Sequence, residues 1–499
     1  MKYQSTRNAA VSVPSAEAIR SGIAPDGGLY VPAADTAVSL DEIAKLSTLS
    51  YTALAADILG RFLTDYTPDE LADCTAKAYT KEKFETDSIA PVYKLTESAY
   101  ILELWHGPTC AFKDMALQIL PHLLTRAVKK TGDDHEVVIL VATSGDTGKA
   151  ALEGFKNVEG TKIQVFYPKD GVSEIQRLQM TTQEGTNVDV VAVEGNFDDA
   201  QTGVKRIFTD KAFAKELDGK GYGFSSANSI NWGRLAPQIV YYFAAYCDLL
   251  RNGEIKLGDA INVCVPTGNF GNILAAYYAK QMGLPIAKLI CASNSNNVLT
   301  DFIRTGTYDR NRAFETTISP SMDILISSNL ERFLYHASER NDALVRTYMQ
   351  ELSETGKYTV SSALKAAIQD IFYAGCCNDE QTIATIHDTF ENEHYVLDTH
   401  SAVAVNVYQQ YVKETGDQTK TVIASTANPC KFNTAVVTAL AGKQGVEGKD
   451  EFQLLQMLSD IGQIHIPKSL KELKNKFVRF NNVCTRDGLE EQTRRFLEL

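Results

Sequence analysis

Short apolar segments alternate with amphipathic helical segments along most of the chain after residue 98. Residues 136–142 (EVVILVA) illustrate the pattern, because they are apolar at consecutive positions and a helical segment follows. Strands apolar on both faces that alternate with helices are typical of parallel sheets covered on both sides. The predicted strands are 100–104, 136–142, 162–167, 188–193, 261–265, 288–292 and 421–424. We therefore predict an α/β fold that binds ligands at the carboxyl ends of its strands.

A chain of 499 residues is longer than a single core usually supports, and changes in the pattern suggest where it divides. Residues 1–95 are predicted to form a separate N-terminal lobe, with helices over 40–61 and 67–78. Two parallel-sheet domains are assigned to 96–297 and 396–460. Between them, 298–395 read as a mostly helical insertion with few strand signals. Residues 461–499 are predicted to end the chain in outer helices at 470–477 and 489–497.

The balance of charge limits the possible partners. Asp and Glu number 62 against 49 Lys and Arg, so the net charge is −13, and binding to nucleic acid or to an anionic membrane is not expected. Nine cysteines without a zinc-spaced CxxC pair predict reduced thiols, no metal site and a cytoplasmic location. The opening residues lack the apolar core of a secretion signal, and no apolar run is long enough to predict a membrane span.

Two loops with possible chemistry follow predicted strands. Residues 268–272 (GNFGN) precede a helix, and their glycines and the helix N–H groups suit a phosphate; a plain glycine-rich turn is the alternative. Neither a Walker loop nor a dinucleotide fingerprint is present. Residues 143–148 (TSGDTG) also open a helix. They could bind a carboxylate or phosphate, or Ser144, Asp146 or Thr147 could cap the helix.

Lys113 lies near the start of a predicted amphipathic helix. The positive end of a helix dipole disfavours an ammonium group and lowers its pKa, and a neutral amine is the form that makes a Schiff base. A solvated surface lysine is the alternative. His106 and His400 are interpreted as packed or capping side chains rather than catalytic ones.

Four longer segments carry a family resemblance. They are 22–32 (GIAPDGGLYVP), 106–114 (HGPTCAFKD), 225–234 (SSANSINWGR) and 425–432 (STANPCKF). Together they resemble the threonine synthases of bacteria and fungi, and the likeness extends over nearly the whole chain. This family belongs to fold type II of the pyridoxal-phosphate enzymes, the fold of the tryptophan synthase β subunit.

The resemblance implies a reaction, a cofactor and a set of site residues. The reaction converts O-phospho-L-homoserine and water to L-threonine and phosphate, the last step of threonine biosynthesis. The cofactor is pyridoxal 5′-phosphate, held as a Schiff base on the catalytic residue Lys113. Further cofactor contacts would come from Asp146 near the ring's 3′-oxygen, from Gly268, Asn269, Phe270, Gly271 and Asn272 at the phosphate, and from Thr426 at the pyridine nitrogen. The substrate phosphate would be bound by Ser144, Thr147, Asn228 and Arg234.

Three positions depart from the family pattern: Asn428 stands where His is usual, Cys430 where Ala is usual, and Lys149 replaces a small residue. None of them is assigned to the chemistry. Two other functions stay open. Another fold type II lyase, such as a serine or threonine dehydratase, would be expected to lack the segment around Arg234, and the intact Lys113 argues against a non-catalytic homologue. A monomer or a homodimer is expected.

Overall fold

The computed structural model describes residues 1–170 and 172–499, and in that part of the chain sixteen strands form four sheets. The strands are β1 (Lys2–Ser5), β2 (Asn8–Pro14), β3 (Tyr30–Pro32), β4 (Val92–Lys94), β5 (Ala99–Glu103), β6 (Glu136–Ala142), β7 (Thr161–Pro168), β8 (Val188–Glu194), β9 (Tyr222–Ser225), β10 (Ile261–Pro266), β11 (Ile286–Ser293), β12 (Thr307–Asp309), β13 (Lys357–Thr359), β14 (Phe372–Cys376), β15 (Thr421–Ser425) and β16 (Asn482–Thr485). All seven strands predicted from the apolar runs are present.

The helices cover both faces of the two larger sheets. In chain order they are α1 (Ser15–Ser21), α2 (Leu40–Leu46), α3 (Tyr51–Phe62), α4 (Pro68–Ala78), α5 (Asp114–Leu117), α6 (Leu120–Thr131), α7 (Asp146–Phe155), α8 (Glu174–Thr181), α9 (Phe197–Thr209), α10 (Lys211–Asp218), α11 (Trp232–Arg251), α12 (Gly271–Gln281), α13 (Val298–Thr305), α14 (Leu330–Ala337), α15 (Asp342–Thr355), α16 (Ser362–Ile371), α17 (Asp379–Glu393), α18 (Thr399–Thr415), α19 (Asn433–Ala441), α20 (Glu451–Gly462), α21 (Lys468–Lys471) and α22 (Leu489–Leu497). No helix in the described ranges is both long and apolar enough to cross a membrane.

Two large sheets form the body of the molecule. One has the strand order β14-β11-β10-β15-β5-β4 and is parallel except for β4; the other has the order β16-β8-β7-β6-β9 and is parallel throughout. The long helix α11 is buried over nearly its whole length and packs against α3, α5 and α12. It therefore connects the N-terminal helices to the layers around the sheets.

The N-terminal lobe contains a small antiparallel sheet, β2-β1-β3, and the helices α1–α4. The single helix predicted over 40–61 is wrong, because the chain turns between α2 and α3. Ser50 accepts a hydrogen bond from the N–H of Ala53 and so begins a new helix. Ser39 and Glu42 form a capping box at the start of α2, which explains why that helix begins where it does.

Two further differences concern strands that have weak sequence signals. The segment 298–395, read as helical, contributes the short pair β12-β13 and the edge strand β14 of the six-stranded sheet. The segment 461–499, read as helical, contributes the edge strand β16. Residues 470–477 do not form one helix, since α21 ends at Lys471 and a 3-10 turn follows at Glu472–Asn475. Edge strands have one neighbour and need less apolar sequence than central ones.

Candidate active site

The loops that follow β5, β10 and β15 in one sheet and β6 in the other meet around Lys113. The loop after β5 is joined to the loop after β15 by backbone hydrogen bonds: Phe112 N–H donates to Thr426 O at 2.8 Å, and Asn428 N–H donates to Cys110 O at 3.0 Å. Ala111 and Ala427 form an isolated bridge between these bonds. Two segments that are more than 300 residues apart in the sequence therefore bring Lys113 next to Thr426.

Lys113 is a buried amine and not a surface lysine, since only 8% of the residue is exposed. Its Nζ donates to Ser321 Oγ at 3.4 Å and lies 3.7 Å from Asp146 Oδ2. Burial lowers the pKa of Lys113 to about 8; Asp146 opposes this shift, and the cations Lys431 and Arg234 reinforce it. The single amphipathic helix predicted after Lys113 is wrong, because α5 has four residues and α6 begins separately at Leu120; burial is the largest cause of the shift.

Asp146 is the buried carboxylate of the site. It accepts hydrogen bonds from Lys431 Nζ at 2.5 Å and from Gln176 Nε2 at 3.1 Å. Burial alone would raise the pKa of Asp146, but the ammonium groups of Lys431 and Lys113 hold it below its usual range. Lys431 was not predicted as a site residue. The sequence indicates only that a lysine lies within the segment 425–432. The structure shows that the side chain of this lysine is completely buried.

The loop 268–272 packs against the segment 321–329. A Cβ at Gly268 would lie 2.8 Å from the carbonyl oxygen of Ser321, so only glycine allows this approach. Ser327 Oγ donates to Gly268 O at 2.7 Å, and Asn329 N–H donates to Asn269 O at 3.1 Å. Phe270 has φ of 61° and precedes α12, whose first N–H groups lack intrahelical acceptors.

Asn272, in the first turn of α12, carries the last side chain of this loop. Its Oδ1 accepts from Tyr241 OH at 2.8 Å and from Tyr242 OH, whereas its Nδ2 is buried and has no partner within the described residues. An amide donor without an acceptor at the start of a helix fits an anion such as a phosphate group.

The loop 143–148 is organised by a residue that was not proposed as the cap. Thr143 Oγ1 accepts from the N–H of Gly145 at 3.0 Å and of Gly148 at 2.9 Å, so the expectation that Ser144, Asp146 or Thr147 caps the helix is wrong. Within the described chain, the hydroxyls of Ser144 and Thr147 make no hydrogen bond, and both residues are half-buried. They are therefore free to bind a ligand.

Arg234 is a buried cation without a carboxylate partner in the described ranges. It is 3% exposed, Nη1 donates to Ala227 O at 2.5 Å, and Nε has no partner among the described residues. Burial lowers the pKa of Arg234 to about 10. Asn228 lies six residues earlier and is half-buried, with no side-chain hydrogen bond to any described residue. A buried guanidinium without a counter-ion is unfavourable, so this arrangement suits an anionic ligand.

The two histidines behave as structural residues, as predicted. His106 Nε2 lies 2.7 Å from Glu103 Oε2, and its ring stacks on Trp105. His400 is buried; Nδ1 lies 3.0 Å from Asp398 Oδ1, and Nε2 accepts from the N–H of Ser321 at 3.2 Å. His400 thereby supports the turn whose serine contacts Lys113.

The departures from the family pattern make local contacts. Asn428 Oδ1 accepts from the N–H of Cys430 at 2.9 Å, and Cys430 is buried. Lys149 Nζ pairs with Glu153 at 3.0 Å on the same helix. None of these contacts includes Lys113.

Comparison with known proteins assigns the family. The model "Pyridoxal-phosphate dependent enzyme" matches residues 90–427, "Threonine synthase N terminus" matches 2–79, and "Threonine synthase, C-terminal" matches 401–488. The chain belongs to the threonine synthase family. This family is one of pyridoxal-phosphate-dependent lyases, whose cofactor is pyridoxal 5′-phosphate. The predicted fold, type II with two parallel sheets and an additional N-terminal lobe, is confirmed.

Three relatives define how close the similarity is. Threonine synthase of Saccharomyces cerevisiae is 35% identical over 98% of both chains. Threonine synthase-like 1 of Homo sapiens is 43% identical over 86% of this chain, which spans only 58% of the length of that relative. The crystal structure of PLP-bound threonine synthase from Brucella melitensis superposes with a TM-score of 0.87 at 37% identity and covers 99% of both chains.

Proposed function

We propose that the protein is a threonine synthase that converts O-phospho-L-homoserine and water to L-threonine and phosphate. The observation that carries the proposal is Arg234, a buried guanidinium without a carboxylate partner in the described chain, whose charge acts on the buried amine of Lys113. The Arg234 guanidinium suits a phosphate group and the Lys113 amine suits a reacting carbon, so the two together fit a substrate that has both. Relatives named threonine synthase that match nearly the whole chain support the same reaction.

The residues proposed to hold the cofactor form one set. Lys113 would bind its aldehyde carbon, the loop 268–272 its phosphate, Asp146 would face its 3′-oxygen, and the Thr426 hydroxyl would bond to the pyridine nitrogen. In the described chain the Thr426 hydroxyl makes no hydrogen bond, although the residue is only 6% exposed. When bound, pyridoxal phosphate supplies an electron sink for the charge that develops at the substrate's Cα.

The substrate would be held by residues from three segments. The guanidinium of Arg234 would make charge-assisted hydrogen bonds to its phosphate, and Ser144, Thr147 and Asn228 would add neutral ones. This grip would orient the Cγ–O bond that breaks when phosphate leaves. Lys113 Nζ would move protons at Cα and Cβ, since a pKa of about 8 makes both of its protonation states accessible near neutral pH.

Product analysis of the cofactor-loaded protein with phosphohomoserine tests this function. We expect equal amounts of phosphate and threonine from the wild type and no turnover by Lys113→Ala. Arg234→Gln should lower kcat/KM at least about 30-fold, because loss of one partner of a buried charge pair costs on the order of 2–5 kcal/mol. Arg234→Gln also removes the hydrogen bond to Ala227 O, at a cost of about 1–3 kcal/mol, but it removes an uncompensated buried charge as well, which offsets that cost. The thermal stability of the apo-protein should therefore change little, which separates substrate binding from a structural role.

Arg494→Gln is the matched control, because Arg494 pairs with Glu216 and Glu490 on the surface, and it should leave kcat/KM unchanged. A loaded wild type that releases no phosphate from phosphohomoserine contradicts the proposal. Ammonia release from serine or threonine without phosphate release would instead identify a dehydratase.

A further inference from the structure

Lys431 is a buried cation for which the reaction described above has no use. It ends the 3-10 turn Pro429–Lys431 after β15, and its side chain has no exposed surface. Its Nζ lies 2.5 Å from Asp146 Oδ1, whereas Lys113 Nζ lies 3.7 Å from Asp146 Oδ2. One carboxylate thus faces two ammonium groups in a space from which water is largely excluded, and it lies closer to Lys431.

Which lysine lies closer to the Asp146 carboxylate affects the protonation state of Lys113. Schiff-base formation requires a neutral amine: its lone pair attacks the aldehyde carbon of free pyridoxal phosphate, a C=N bond replaces the C=O bond, and the two amine protons leave with the aldehyde oxygen as water. A buried carboxylate paired with Lys113 alone would favour the ammonium form, which cannot attack. A second cation on that carboxylate offsets the attraction and repels a proton on Lys113.

We propose that Lys431 is a positioning residue that occupies the Asp146 carboxylate and thereby leaves the amine of Lys113 free to bond to the cofactor. Lys431 would also neutralise Asp146 beside the 3′-oxygen of the ring, where a lone carboxylate would repel a second anionic oxygen. The inference rests on Lys113 as the cofactor lysine but not on the identity of the substrate.

The charged and titratable groups that face Lys113 come from several elements. They are Asp114 at the start of its own helix α5, Asp146 on α7, Arg234 on α11, Lys431 on the turn after β15 and, behind Ser321, His400 on α18. Asp114 accepts from the N–H and the hydroxyl of Thr109 at 2.8 and 2.7 Å, so it is engaged elsewhere. Asp146 is the carboxylate within ion-pair distance of Lys113, and Lys431 is the cation that competes for it.

The test measures cofactor loading and not turnover. Apo-protein is mixed with pyridoxal phosphate between pH 6 and 10, and Schiff-base absorbance gives the loading rate; borohydride trapping and peptide mass locate the modified lysine. For the wild type we expect the rate to rise with pH through a midpoint near the Lys113 pKa of about 8. In Lys431→Met the midpoint should move up by at least about one pH unit, which slows loading at pH 7 about tenfold, since the neutral fraction falls tenfold per unit.

Two variants identify the cause of the shift. Asp146→Asn combined with Lys431→Met removes both charges and should return the midpoint to the wild-type value or below it. Lys431→Arg keeps the charge and should retain much of the wild-type behaviour. Lys156→Met is the matched control, because Lys156 pairs with Glu184 on the surface after α7, and its midpoint should not change.

Several outcomes overturn the proposal. One is an unchanged midpoint in Lys431→Met, and another is a double variant that stays as shifted as the single one. If Lys431→Met does not fold, Asp146→Asn is compared with the double variant. Its midpoint should be lower, because an unpaired Lys431 then faces Lys113, and equal midpoints overturn the proposal. A wild type that is trapped at a different lysine removes the assignment of Lys113 itself, which is a separate failure.

Discussion

His336 lies near the end of α14, where its Nε2 is within hydrogen-bond distance, 2.8 Å, of the Tyr278 hydroxyl. Burial lowers the pKa of His336 from 6.5 to about 4, and the nearby Arg340 adds to the shift. Between pH 4 and pH 6.5 the unfolded chain therefore binds more protons than the folded chain. Stability contributed by neutral His336 is therefore present above pH 6.5 and is lost as the pH falls towards 4. Burial has the same effect on Lys113, where it favours the neutral amine.

His336→Gln should make the apo-protein less sensitive to acid. The fall in unfolding free energy between pH 7 and pH 4.5 should be smaller than in the wild type by about 2–3 kcal/mol, because one pKa unit corresponds to about 1.4 kcal/mol. Urea unfolding at the two pH values measures the difference. His465→Gln replaces an exposed histidine and should follow the wild type; if His336→Gln does so too, the burial argument fails.

At the scale of elements, the contact between α5 and α7 sets the distance between the two charges of the site. Lys113 immediately precedes α5, and Asp146 is the first residue of α7. A Cβ at Gly154, near the other end of α7, would lie 2.1 Å from the carbonyl oxygen of Leu117 at the end of α5. The two backbones can approach this closely only because residue 154 has no side chain.

Gly154→Ala should therefore separate α7 from α5 and disturb the site. We expect a loss of about 1–3 kcal/mol in unfolding free energy, as for other overpacked interiors, together with weaker binding of pyridoxal phosphate. Thermal unfolding and a cofactor titration measure these effects. In the control Gly60→Ala within α3, the nearest atom to the new Cβ is 3.5 Å away, so alanine should stabilise the helix by up to about 1 kcal/mol. Equal behaviour of the two variants would contradict the role of Gly154.

At the scale of the whole molecule, Arg332 joins three distant regions. Its guanidinium is fully buried and donates to Tyr30 O of the N-terminal lobe at 2.9 Å, to Ile230 O before α11 at 2.6 Å, and to Asn329 Oδ1 at 2.6 Å. Asn329 in turn donates from its N–H to Asn269 O in the loop 268–272. The lobe is therefore attached to the same residues that shape the site.

Arg332→Met should loosen this attachment. Each buried acceptor that loses its donor costs about 1–3 kcal/mol, so a total loss of roughly 3 kcal/mol or more is expected, with faster proteolysis of the N-terminal lobe. Denaturant unfolding and limited proteolysis measure the two effects. Arg346→Met is the control, because Arg346 is exposed and makes one bond from the same region to Arg7 O; it should change stability by less than about 0.5 kcal/mol. Similar losses in both variants would refute the role of Arg332.

Local sequence was sufficient to predict those strands and helix starts that depend on interactions within a few residues. Continuous apolar runs predicted all seven interior strands of the two large sheets, because a strand covered on both faces must be apolar at every position. Capping residues such as Ser50 mark helix starts, although the break that Ser50 makes between α2 and α3 was not predicted. Weakly apolar edges such as β16 escaped prediction, since pairing with β8 and not composition makes them strands.

The sequence by itself determined the α/β pattern, the two glycine loops and, through its family motifs, the candidate lysine. Only the tertiary structure decided how that lysine ionises, because its pKa depends on burial and on charges brought from other segments. Asp146 and Lys431 are 285 residues apart, and no local pattern pairs them. Burial excludes water from the space they share, so a contact made by folding controls the charge of a side chain that the sequence could only locate.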